Sequence, residues 1–399
     1  MTGYTKSLLA LVVSLIALQS VVIGVAGLDR PYWGDESHFV PTVREFGDEI
    51  SLDRLKHYNE MSGPLPFVVY ALWGRAFGFE IHVLRILSVI IALLTGLVFH
   101  RLLYTVTGKP MVSVLGAVFL AGHPYMVGFS IFVFTDMLPI LLLILACLAL
   151  VKHSAGAFAL AAAGALLCRQ YYIFLPLAAA AYALMGVIRG HESTGGQSAA
   201  QFAKRLLVAG LFSVVPLGLL FLLWQGVSPD NELRAHYLEQ GLTFHLNYLV
   251  MYVCLLSIYL LPVVVARWRW FYRDRRTNVA ALIVSWLYWL FPVTASPHAL
   301  AIDVDTVGLF HRFLRWIGGS TFEQIVFYFG FLLGLPILIW LIRDCLTRIR
   351  RRQYDLPLFL DLAVPAFLVI MPFSYLCWEK YFLPMVPLLI VRLLHREAA

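Results

Sequence analysis

Two adjacent carboxylates, Asp35 and Glu36, stand in the run Tyr32-Trp33-Gly34-Asp35-Glu36-Ser37-His38, just past the first long apolar stretch. A carboxylate in such a place can take the proton of an attacking hydroxyl, with its neighbour or a histidine orienting the pair. The structural alternative is that Asp35 caps a short helix. Thr135-Asp136 precedes Met137-Leu138-Pro139 at the head of another apolar run. An acid there can bind a sugar hydroxyl, orient a base, meet a metal, or cap the helix it precedes. Arg169-Gln170 lies between two apolar stretches with almost no loop around it. An arginine at membrane depth usually has a specific anionic partner, and guanidinium matches phosphate with two parallel hydrogen bonds. Its ordinary alternatives are snorkelling to headgroups or pairing with Asp136. Glu379-Lys380-Tyr381 offers a second phosphate cation positioned by an acid, or else an interfacial anchor belt with Trp378. His311-Arg312 and Arg315 stand near Asp303 and Asp305, where loop salt bridges compete with a substrate-binding role.

These groups need a scaffold, and composition says what kind. Of 399 residues, 61% are hydrophobic and 13% charged, with a mean hydropathy of +0.81. A soluble domain carries about twice that charged fraction, so the chain cannot cover itself with a water-facing surface. Apolar runs of roughly membrane-spanning length recur throughout. They predict about twelve spans, near 7–27, 81–104, 111–129, 132–151, 155–167, 170–188, 205–226, 247–266, 278–296, 324–343, 357–375 and 381–394. The expected fold is an all-α polytopic transmembrane bundle forming one domain over 1–399. The first run lacks a small-residue cleavage site and reads as an uncleaved anchor. Between 28 and 80 lies the longest polar loop, ending in an amphipathic stretch Phe67–Phe79 that reads as an interfacial helix. Further loops are expected at 227–246 and 297–323, and a hydrophilic linker at Arg189–Ala203.

Lys and Arg set the expected orientation. Placing both termini in the cytoplasm puts about nineteen of the 30 basic residues on that side. The net charge of +7 then describes cytoplasmic turns meeting anionic lipid, and no basic face with interleaved exposed aromatics points to nucleic acid. Asp35, Asp136, Arg169, Arg312 and Lys380 all fall on the opposite, non-cytoplasmic face. A base, helper acids and phosphate cations on one surface fit an enzyme that uses a lipid-phosphate donor. A transporter or lipid flippase is the main rival; it calls for charges near the bilayer midplane or paired broken helices. A scaffold subunit is the second rival. The five cysteines show no metal-ligand or disulfide spacing. No cofactor is demanded, although a divalent ion would suit the acids.

At these residues the chain resembles the GT-C membrane glycosyltransferases. It is most similar to the dolichyl-phosphate-glucose-dependent α-1,2-glucosyltransferases of lipid-linked oligosaccharide synthesis. That family carries D-E-x-x-H in its first outer loop, and Asp35-Glu36-Ser37-His38-Phe39 keeps the acids with the histidine one place earlier. Its T-E is matched by Thr135-Asp136, and its R-Q then T-N by Arg169-Gln170 then Tyr171-Tyr172. Its E-x-R-Y-x-x-x-P is matched by Glu379-Lys380-Tyr381-Phe382-Leu383-Pro384, with Lys for Arg and shorter spacing, and a basic-aromatic run by His311-Arg312-Phe313. The resemblance implies a GT-C-like fold, a polyprenyl- or dolichyl-phosphate hexose donor, a glycan acceptor, and inversion at the anomeric carbon. It implies Asp35 as base with Glu36 or Asp136 orienting, and His38, Gln170, His311, Arg312, Glu379, Lys380 and Tyr381 among the substrate-binding residues beside Arg169.

Overall fold

The computed structural model describes residues 3–188, 196–229, 234, 243–301 and 303–395. Residues 189–195 of the expected linker and most of the loop 227–246 lie outside these residues, while 196–203 of that linker are helical. The described residues form helices and connecting loops, with no strand among them. The chain divides into two compact units, one of Met1–Val187, Glu192–Glu239 and Leu394–Ala399, the other of Ile188–His191 and Gln240–Leu393.

In the first unit the helices are α1 (Gly3–Ala26), α2 (Glu36–Asp48), α3 (Leu52–Lys56), α4 (Leu65–Phe77), α5 (Ile81–Thr107) and α6 (Pro110–Ala121). There follow α7 (Pro124–Phe129), α8 (Met137–Val151), α9 (Ala155–Cys168), α10 (Phe174–Ile188) and α11 (Gly196–Trp224). Helix α1 shows why these helices need lipid. Leu9, Val13 and Ile16 recur every three to four residues and are 56%, 59% and 53% exposed. An apolar stripe that nothing in the protein covers is at home only in hydrocarbon.

Among the described residues, six segments are long and apolar enough to cross a membrane: Gly3–Ala26, Ile81–Thr107, Gln170–Val187, Gln201–Trp224, Leu309–Arg350 and Leu356–Phe373. The other expected spans are shorter or broken, and at two of the breaks a proline opens the second piece. The run 111–129 stops at Gly122-His123 and restarts at Pro124. The run 247–266 divides at Tyr259-Leu260, with Pro262 opening the second piece. Proline favours a first-turn position, where its missing N–H costs no hydrogen bond. The stretch 132–151 becomes helical only at Met137, leaving 131–136 irregular. The predicted interfacial helix forms as α4, two residues earlier than the pattern suggested.

In the second unit, Arg348 and Arg392 lie in a buried network. Arg392 contacts Asp361 at 2.6 Å, and Arg348 contacts Asp344 and Asp355 at 2.6 Å each. Charges so enclosed require partners.

Candidate active site

The first unit builds its polar end around one buried ion pair. Glu36 and Arg85 are both fully buried, 2.6 Å apart. Arg85 also donates to the carbonyls of Leu28, Arg30 and Pro31. Glu36 accepts in addition from the backbone N–H groups of Trp33, at 3.0 Å, and Val133, at 2.8 Å. The loop 28–36 and the irregular segment 131–136 are thus pinned over the start of α5. Glu36, expected as a catalytic helper, anchors this loop with both oxygens accepting from fixed donors.

Pinning Glu36 turns its neighbour outward. Gly34 takes a left-handed φ of +59°, a conformation with little steric cost for glycine. Asp35 then opens α2 without capping it through its side chain, so the capping alternative is not what forms. Its side chain is 36% exposed, and Oδ1 lies 4.0 Å from His38 Nε2. The other ring nitrogen of His38, Nδ1, is 2.6 Å from Glu60 Oε1. Burial pushes the Glu60 carboxyl up, while His38 and Arg169 draw it back down and Asp35 adds to the rise. The same four groups therefore share one electrostatic neighbourhood. Tyr32 and Trp33, each 41% exposed, stand beside them, and Trp33 stacks on Phe132 at 4.8 Å.

Arg169 reaches this neighbourhood from the end of α9. It donates to Asp136 at 2.9 Å and to the Thr135 hydroxyl at 2.5 Å. This is the pairing that the sequence allowed as the ordinary alternative, and it fixes the guanidinium at a side-chain exposure of 11%. Asp136 makes no capping bond to α8, and its Oδ1 is buried without a hydrogen-bond partner among the described residues. Gln170 donates to the Met61 carbonyl at 2.8 Å. Gly63 N–H donates to the Cys168 carbonyl at 3.0 Å, so close that a Cβ there would meet Leu167 O at 2.1 Å. Trp224 of α11 holds Leu55 O at 2.7 Å. These bonds fold 49–64 back over the helix ends and carry Glu60 to His38.

In the second unit, Glu379 is fully buried and accepts from Phe310 N at 3.0 Å, His311 N at 2.7 Å and Tyr259 OH at 3.1 Å. His311 is 1% exposed and lies 2.6 Å from Glu323. Both, expected among the substrate-binding residues, brace the loop 303–311. Arg315 does form the salt bridges expected of it, to Asp305 and to Glu323. Arg312 is exposed, and Lys380 and Tyr381 are half-buried. Among the described residues no group of three or more His, Cys, Asp or Glu is set to hold a metal ion.

Glu60 and Arg85 were missed in the sequence. Glu60 sits in Tyr58-Asn59-Glu60-Met61 with no periodicity to mark it. Arg85 looks like one more flanking charge at the head of a span.

The DIE2/ALG10 family model matches residues 66–263, just under half of the chain. That stretch holds Thr135, Asp136, Arg169 and Gln170, while Asp35 and Lys380 lie outside it. The family is the one that the motifs resemble. No curated protein gives a match. Among solved structures, the chain is similar to ArnT from Cupriavidus metallidurans in the apo state, with a TM-score of 0.42 and 15% identity over 96% of this chain and 76% of that one.

Proposed function

We propose that this chain, a membrane glycosyltransferase by its family match, transfers a hexose, glucose first among the candidates, from a polyprenyl- or dolichyl-phosphate sugar to a lipid-linked or cell-surface glycan. One observation carries the reading: acids, a histidine and an arginine gather at one end of the first unit. Asp35 takes the proton as an acceptor oxygen attacks the anomeric carbon. The bond from that carbon to the phosphate oxygen breaks, and its electron pair leaves with the lipid phosphate. Attack opposite the leaving group inverts the centre. Arg169, held in place by Asp136 and Thr135, meets the charge that grows on the phosphate, a role that preorganised cations fill well. Because the leaving group is already an anion, a cation replaces a general acid. Tyr32 and Trp33 offer aromatic faces to the acceptor sugar. Glu60 orients His38 beside Asp35. Lys380, as a second phosphate cation with Tyr381 beside it, enters on its sequence motif alone.

The excess of Lys and Arg in the opposite turns supports a non-cytoplasmic site with both termini inside. Sidedness and chemistry are testable together in sealed membranes. Leu52 is 73% exposed in the first loop, so Leu52→Cys leaves the core untouched. It is expected to react with an impermeant thiol reagent on intact cells, in membranes that also transfer labelled hexose from the lipid donor. Labelling only after lysis would overturn the orientation.

A further inference from the structure

The helix Leu309–Arg350 of the second unit is two segments in one. Gly319 has φ +73° and ψ −174°, values outside the helical range, and the axis breaks there. Residues 309–318 therefore make a separate segment of about 15 Å, joined directly to a membrane-length helix. On this segment Leu309, Phe313, Trp316 and Ile317 are 37%, 52%, 80% and 54% exposed. Their spacing of i, i+4, i+7 and i+8 puts them on one face. His311 and Leu314, on the other side, are 1% and 6% exposed. Glu323, just past the break, holds His311 at 2.6 Å and Arg315 at 2.7 Å, which locks the bend. An apolar face rich in aromatics, bent away from a span, is the build of a helix lying in the bilayer surface.

Beside the stripe opens a concavity of about 340 Å³ lined by Asp303, Asp305, Thr306, Arg312, Arg315 and Trp316. Arg315 is engaged by Asp305 and Glu323. Arg312 and Asp303 have no side-chain hydrogen-bond or ion-pair partner among the described residues. The concavity thus presents one uncommitted cation and one uncommitted anion at the edge of an apolar stripe. We propose that Leu309–Gly318 lies in the bilayer interface and that this concavity seats an aminophospholipid headgroup, with Arg312 taking the phosphate and Asp303 the ammonium. Guanidinium and phosphate form the stronger of the two contacts. Thr306 adds a hydroxyl at the same wall. The acyl chains then follow Phe313 and Ile317 into the hydrocarbon.

Two measurements on the full-length protein test it. In native mass spectrometry with added phosphatidylethanolamine, wild-type protein is expected to retain one such lipid in preference to phosphatidylglycerol. Arg312→Ala, at an exposed position, should lower that retention about tenfold, the usual worth of a charge-assisted hydrogen bond. Asp303→Asn should abolish the preference for the amine headgroup. Equal retention by Arg312→Ala, or a wild-type preference for phosphatidylglycerol, overturns the headgroup assignment. Because all five native cysteines are buried, a nitroxide can be placed at Phe313→Cys in nanodiscs. Greater access to oxygen than to a water-soluble nickel complex supports the interfacial placement, and the reverse order overturns it.

Discussion

Asp35→Asn is expected to lower turnover by roughly 100-fold or more, with donor binding nearly unchanged. The substitution keeps the side chain's shape and one hydrogen-bonding oxygen but removes the proton acceptor. The fold has little reason to respond, because the Asp35 side chain makes no capping hydrogen bond to α2 and is 36% exposed. Donor affinity should hold because the base meets the acceptor hydroxyl and not the phosphate. Initial rates with a radiolabelled lipid-phosphate hexose, beside equilibrium binding of the same donor, separate the two effects. Near-normal turnover would remove Asp35 from the mechanism and move the search to His38 or Asp136.

Arg85→Ala should act through the fold instead, costing about 3–5 kcal/mol, the usual result of stranding one member of a buried ion pair. Glu36 would stay fully buried while losing the guanidinium 2.6 Å away. The carbonyls of Leu28, Arg30 and Pro31 would lose their donor as well. The unfolding midpoint in detergent, read by tryptophan fluorescence, measures the loss. The paired change Glu36→Gln with Arg85→Leu removes both charges and should recover part of it, as replacing a whole buried pair often does. If Arg85→Ala melts like the wild type, the pair does not anchor the loop.

These two expectations show where the sequence is readable. Asp35 and His38 stand out because acids and a histidine crowd together beside aromatics within one short loop. Asp136 and Arg169 stand out because charge is rare among apolar residues. The division of labour between Asp35 and Glu36 could not be read, because it depends on Arg85, 49 residues away. Glu60 was hidden for a similar reason. It meets His38 only because Gly63, Gln170 and Trp224 fold its loop back, and no local pattern records those long-range bonds. Hydropathy located the apolar runs well, but it averages over a window. The breaks at Gly122-His123 and Tyr259-Leu260 are two residues long, which such an average smooths away. The bend at Gly319 is equally local, and it separates the surface helix from the span behind it.

The most direct test of the central claim supplies the purified protein, in proteoliposomes, with polyprenyl- and dolichyl-phosphate hexoses and with nucleotide sugars in parallel. The account predicts a new glycosidic bond from the lipid-phosphate donor, with the anomeric configuration inverted, and no transfer from nucleotide sugars. Transfer from a nucleotide sugar, or movement of the donor across the bilayer with no glycosidic bond formed, would contradict it.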